Sequence, residues 1–303
     1  MKKWTGLLVL AIGLTGCGGI SENRNADPAI NTLPVSAETL QAPKTARLDL
    51  KGLSPAFGFA DGEGKRIIAI ESGEEIGRER TEEEAAVAAS YNTAIGNNGQ
   101  VLSIQFSKRQ SRDKQDNGRQ SAHNFNYLEG DVYEVVGEGA KPNESYYLIN
   151  NELFNIEALI KLDQSEVKDL PADISEAIAK QKNRKVVQGW QLASTEKGQQ
   201  ILLVQFERIG EQMLASLVLY ENGKMAFMDY PAVYNENSTW RVDDGGTVSP
   251  GMFSFLFAAR SFDGIVLGVK WIGSEGENLS ILKQSGDRLA EMNIRASRYL
   301  SPT

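Results

Sequence analysis

From residue 51 onward, apolar residues come in short runs broken by turn dipeptides, and long stripes repeating every three or four positions are rare. Asp61-Gly62, Asn98-Gly99, Glu129-Gly130, Asn222-Gly223 and Glu275-Gly276 each separate runs rich in Val, Ile, Leu, Phe and Tyr. Asn-Gly is the strongest of these signals, because both residues tolerate the positive φ that a two-residue hairpin turn requires. Ser216 to Asp229, centred on Asn222-Gly223, is the clearest hairpin, and Met252 to Phe257 reads as a buried strand. Antiparallel sheet is therefore expected to dominate.

Three segments carry helix signals. Thr81 stands three residues before Glu84 and just ahead of an alanine-rich run, which is the capping-box arrangement with acids at the positive end of the helix dipole. Pro171 to Lys182 has a proline in its first turn, Ile174 and Ile178 on one face and lysines near its end. Asp287 to Tyr299 is the third expected helix, although its apolar positions fit the helical period poorly.

A weak internal duplication relates these elements. Tyr91-Asn-Thr-Ala94 and Trp190-Gln-Leu-Ala193 each lead, eight residues after the aromatic, to Gly99-Gln100 and Gly198-Gln199, and then to a strand ending Gln-Phe. In both copies the helix comes first and a further strand pair follows, around Tyr127 to Gly130 and Tyr220 to Gly223. The expected fold class is α+β, mainly antiparallel β, with two tandem helix-plus-sheet units over 51–168 and 169–303.

The N-terminus has a different pattern. Lys2 and Lys3 precede a short apolar stretch, Trp4 to Leu14, followed by Leu14-Thr15-Gly16-Cys17. The stretch is about half the ~20 residues that a membrane-spanning helix needs, so residues 1–16 are expected to be a cleaved export signal. This segment resembles the bacterial lipoprotein signal, whose lipobox is Leu, a small or hydroxylated residue, Gly or Ala, then Cys. The resemblance implies that the Cys17 thiol receives a diacylglyceryl group and that Cys17 becomes the new N-terminus. Each buried lipid methylene contributes about 0.8 kcal/mol, so two or three acyl chains hold a soluble body durably on a membrane. Gly18-Gly19 follow the cysteine, without the Asp that in Gram-negative members of that family marks retention at the inner membrane. Either a Gram-positive surface or an outer membrane fits.

From Gly18 to about Leu50, Pro28, Pro34 and Pro43 lie among Ser, Asn, Thr and Ala with no sustained period. Such a composition cannot offset its ordering entropy, and residues 17–50 are expected to be a lipidated tether with a reach of about 30 Å.

Composition narrows the chemistry. The 303 residues include 40 acids, 32 bases, one histidine and one cysteine. Removing residues 1–16 leaves 287 residues with 30 bases against 40 acids, a net charge of −10. That acidity argues against nucleic-acid binding. A single cysteine and a single histidine exclude internal disulfides and Cys₄ or Cys₂His₂ zinc sites. A lone thiol at residue 17 suits an oxidising compartment if lipid consumes it.

No motif assigns an activity. A catalytic triad would have to use His123, and no Gly-x-Ser-x-Gly is present. Ser165 to Lys168 and Ser280 to Lys283 fit the Ser-x-x-Lys spacing without its companion motifs. Asp113 to Gly118 approaches a calcium loop, but Gln115 and Asn124 occupy ligand positions. Gly62 to Arg66 lacks the spacing of a phosphate loop and reads as a hairpin. Acids such as Asp243-Asp244 are too numerous for a glycosidase pair to be located. Trp190, Trp240, Trp271 and Tyr146-Tyr147 have the chemistry of a sugar-stacking platform, but strands bury such aromatics for packing alone, and core roles are expected.

Charge is uneven. Residues 71–84 carry a net −5, whereas 108–120 carry a net +3 from Lys108, Arg109, Arg112, Lys114 and Arg119. The positive segment is either a solvated loop or a contact for an anionic partner, such as a wall polymer, a lipid headgroup or an acidic protein. The expected protein is a lipid-anchored envelope component with a non-enzymatic binding or assembly role and no metal or cofactor. An envelope hydrolase using Asp and Glu is the first alternative. A transport-associated solute-binding lipoprotein is the second, though its two lobes would demand more strand–helix alternation than is visible.

Overall fold

A computed structural model describes residues 46–71 and 77–300 of the chain, all within one compact unit, Thr45–Thr303. The expected turns organise its first half. β1 (Phe57–Ala60) and β2 (Arg66–Ala69) flank Asp61-Gly62, and β3 (Thr93–Gly96) and β4 (Gln100–Gln110) flank Asn98-Gly99. With β5 (Gly130–Val136) and β6 (Ser145–Ile149) they close a six-stranded antiparallel barrel in the order β1-β2-β5-β4-β3-β6. Asn97, Asn98 and Gly99 all have positive φ, which the short amide side chains and glycine permit. Between β2 and β3 lies α1 (Glu82–Ala89), with both halves of the Thr81–Glu84 capping box formed.

Glu129-Gly130 does not form the expected turn. β4 and β5 pair from Gln110 opposite Gly130, and residues 111–129 are one long excursion. The buried Gln110 amide holds its base by donating to the carbonyls of Phe125 and Leu128, each at 2.8 Å. Tyr127, expected in a strand, sits in a 3₁₀ turn instead.

A larger sheet follows, opening with three very short strands, β7 (Leu159–Ile160), β8 (Leu162–Asp163) and β9 (Lys168–Asp169). After α2 (Ala172–Lys182) come β10 (Val186–Thr195), β11 (Gln200–Phe206), β12 (Gln212–Glu221) and β13 (Lys224–Val233). The chain ends in β14 (Phe253–Arg260), β15 (Ile265–Ile272), β16 (Gly276–Ser285) and β17 (Arg288–Tyr299). The sheet order is β7-β14-β15-β16-β17-β13-β12-β11-β10-β8, with β9 also beside β10. Only Lys161 separates β7 from β8, so the two ends of the sheet meet on one stretch of chain and the sheet curls round a core. That core includes Leu203, Leu217, Phe255 and Leu267.

β17 corrects the third helix expected over Asp287 to Tyr299. Met292, Ile294 and Ala296 pack on the core side, whereas Glu291, Asn293, Arg295 and Ser297 are exposed. That alternation is the two-residue period of a half-buried strand. Hairpin pairing with β16, closed at Ser285 opposite Arg288, therefore decides a segment whose helical period was weak.

A second core cluster joins the barrel to the sheet. Tyr147 of β6 stacks on Phe257 of β14 with ring centroids 5.5 Å apart, and both are fully buried. Burying such side chains contributes about 1.5–3 kcal/mol each. The β3–β4 turn adds backbone bonds, from Asn98 N to Phe255 O at 3.0 Å and Gly99 N to Leu256 O at 2.7 Å. Residues 159–163, before the expected 168/169 division, pair with strands of the larger sheet.

Candidate binding cleft

β13 and β17 touch at one parallel pair, Phe227 opposite Arg288, and then separate. Side chains of β13 and β15 to β17 line the resulting cleft of about 350 Å³. Tyr230 and Trp271 form its aromatic wall, in edge contact at 4.5 Å, and Phe253 supports both at 5.6 and 4.8 Å. Asn278, Ser280, Glu291, Arg295 and Ser297 contribute polar groups. Burial, together with the nearby Glu291 charge, raises the Tyr230 phenol above its ordinary value, so it remains a neutral hydroxyl.

A second groove, of about 840 Å³, shares Asn278, Arg295, Ala296 and Ser297 with the cleft. Arg241 lines it, with Nη1 3.4 Å from the Ile272 carbonyl and a buried Nε that has no hydrogen-bond partner among the described residues. The Arg241 segment is held by Asp244, which accepts from the backbone N–H groups of Thr239, Trp240, Arg241 and Gly246 at 2.5–3.0 Å. Burial opposes ionisation there, but these bonds, Arg241 foremost, hold Asp244 below its ordinary value. Of the paired acids noted in the sequence, Asp244 is thus a loop organiser, and Asp243 takes the positive φ of 60° beside it.

The buried carboxylates elsewhere are mostly paired. Arg109 bonds both Glu71 oxygens and lies 2.7 Å from Glu129 and 3.7 Å from Asp131, which Arg80 also holds at 2.6 Å. Glu144 and Glu277 meet Lys270 at 2.5 and 3.6 Å, and Arg298 reaches Glu277 at 2.8 Å. Among the described residues, no cluster of His, Cys, Asp and Glu has the geometry of a metal site.

The residues singled out in the sequence are scattered. Leu14, Thr15, Gly16 and Cys17 lie outside the described residues. In the basic segment, Arg109 is enclosed by carboxylates, Arg112 pairs with Asp116 at 2.6 Å, and Arg119 lies 4.1 Å over the Tyr299 ring. Lys108 and Lys114 are exposed. His123 is exposed in a turn, and Lys168 pairs with Glu166. Ser280 and Lys283, three apart on β16, face opposite sides of the sheet. Asp116 is taken up by Arg112, Asn124 and the Gly118 N–H.

Of the aromatic candidates, Tyr146 and Tyr147 are wholly buried. Trp190, Trp240 and Trp271 are partly buried against the core of the curled sheet, and Trp271 lines the cleft. Sequence reasoning missed Tyr230, Glu291 and Arg295. The alternation along β17 was the available signal for the last two. Comparisons with protein-family models, with characterised proteins and with solved structures gave no match for this chain.

Proposed function

We propose that this chain is a lipid-anchored cell-envelope protein whose body has a non-enzymatic binding or assembly role at the cell surface. The anchor rests on Lys2, Lys3 and the lipobox Leu14-Thr15-Gly16-Cys17, with residues 17–50 as tether. One observation carries the choice of binding over hydrolysis: among the described residues Glu291 is the one carboxylate lining the cleft, and of the acids in the adjoining groove Glu71 and Glu277 are held in ion pairs, leaving Glu275, whereas two-carboxylate glycoside hydrolysis requires a pair across the scissile bond. Glu71, Glu129, Asp131 and Glu277 are in ion pairs, which suits structural acids better than a poised acid and base.

An anionic envelope polymer is the proposed partner of the basic segment, through the exposed Lys108 and Lys114. Arg109, Arg112 and Arg119 support that loop through their internal contacts. The two helix-then-hairpin stretches are read as copies of one unit: Ala94 pairs with Leu102 in the first, and Ala193 with Ile201 in the second.

Metabolic labelling with a clickable fatty acid, in wild type and Cys17→Ala, tests the anchor, and affinity capture from the same cells tests the binding role. Label is expected in the wild type alone, with an envelope polymer recovered and released by salt or by Lys108→Gln/Lys114→Gln. Label that survives Cys17→Ala overturns the anchor. Recovery of an envelope protein in place of a polymer overturns the partner class.

A further inference from the structure

The cleft between β13 and β17 combines two features that packing alone does not require. Tyr230 and Trp271 form an aromatic wall that is only partly covered, and the facing strand sets Glu291 and Arg295 in the opening. Both charged residues are exposed, and neither makes an ion pair within 4.0 Å among the described residues. Ser297 donates to Asn278 at 2.7 Å, so the amide and hydroxyl are already oriented at the same rim.

We infer that this cleft binds a saccharide, with its C–H face packed in the angle between Trp271 and Tyr230 and the ring hydroxyls held between Glu291 and Arg295. A sugar ring has an apolar C–H face suited to an aromatic wall, and hydroxyls that both donate and accept. Glu291 supplies acceptors only and Arg295 donors only, so together they serve both roles of a hydroxyl pair. Their charges cancel, which favours a sugar over a simple anion. At about 350 Å³ the cleft is at the small end of ligand sites and holds one or two rings. A chain can continue past Arg295 into the adjoining groove, which Arg241 also lines. The inference rests on the binding role proposed above and names its ligand class.

The test titrates the full-length protein in detergent with chitotriose, maltotriose and trigalacturonate, reading tryptophan fluorescence and ligand saturation-transfer NMR. At least one sugar should bind saturably. Affinity should fall about tenfold or more in Glu291→Gln and Arg295→Gln, surface changes that leave the melting curve in place. Trp271→Phe should remove the fluorescence response while NMR still reports weakened binding. No saturable response to any sugar up to about 10 mM overturns the inference, as does binding that both charge variants leave unchanged. Polymer capture and its loss in Lys108→Gln/Lys114→Gln are read separately, so capture without sugar binding sinks the cleft assignment alone, and sugar binding without capture sinks the polymer contact of the basic segment alone.

Discussion

Arg298 on β17 lies directly opposite Glu277 on β16, and their side chains meet at 2.8 Å in the interior, where the Arg298 side chain is only 1% exposed. Arg298 also donates to the Asn143 and Gln120 carbonyls and to Ser145 Oγ, so one guanidinium binds the barrel's end to the sheet. Its face lies 4.2 Å from the Phe59 ring. Every donor of the charge is used, which compensates its loss of hydration.

Breaking this pair from one side should be costly. Arg298→Met leaves Glu277 buried with the Ser145 hydroxyl and, at 3.6 Å, Lys270 as its remaining partners, and a loss of about 3–5 kcal/mol is expected in denaturant unfolding. Arg298→Met/Glu277→Met should recover part of that loss, because no unpaired charge remains. A double variant as unstable as the sum of both singles would show that the two residues act independently.

Asp244 should make the Trp240–Arg241 loop acid-sensitive. Its folded value lies below the ordinary 3.8, so its contribution is complete above about 3.8 and is lost as pH falls through the lower folded value. Asp244→Asn should therefore destabilise at neutral pH, by about 1–3 kcal/mol, and flatten the acid limb of a stability-against-pH curve. Unfolding of both proteins between about pH 2 and 7 checks this. A limb that is parallel in the two proteins would contradict it.

Glu84 should titrate far from an ordinary glutamate. The Arg78 side chain, and then the Thr81 N–H at the head of α1, lower it from 4.5 to about 2. Carboxyl NMR should place its midpoint near that value in the wild type, and clearly closer to 4.5 in Arg78→Gln. The helix cap contributed by Glu84 is thus present above 4.5 and is lost only as pH falls toward about 2.

Gly64 and Gly62 share one turn but should respond differently to alanine. Gly64 has φ +68°, and an added Cβ would overlap the Ala140 carbonyl oxygen, whose residue already donates its N–H to Gly64 O at 2.8 Å. Gly64→Ala should cost about 1–3 kcal/mol. A Cβ at Gly62 meets nothing nearer than Ala122 Cβ at 3.9 Å, and Gly62→Ala should stay within about 0.5 kcal/mol of wild type. Thermal melts of the two variants separate these outcomes.

Features legible in the sequence were those settled within a few residues. Thr81 and Glu84 cap α1 reciprocally because they are three apart, and Pro171 to Lys182 became α2 through its own spacing of Ile174 and Ile178. Asn98-Gly99 and Asn222-Gly223 turn hairpins because their backbones accept positive φ. Glu129-Gly130 looked equivalent and is not, since β5 begins at Gly130 where its partner Gln110 stands twenty residues upstream. The cleft was illegible for a related reason: Tyr230 and Glu291 come from strands that meet only at Phe227 and Arg288, and nothing local to either strand encodes that meeting.

By itself, then, the sequence determined the turns at Asp61-Gly62, Asn98-Gly99 and Asn222-Gly223, the helices α1 and α2, and the dominance of antiparallel strands. Tertiary structure alone decided that the strands divide between a closed barrel and a curled sheet, and that Arg109 spends its charge on three carboxylates. The physical reason is range. Caps and turns are satisfied by neighbours along the chain, whereas strand pairing, burial of a charge and the opening of a cleft depend on groups that only folding brings together.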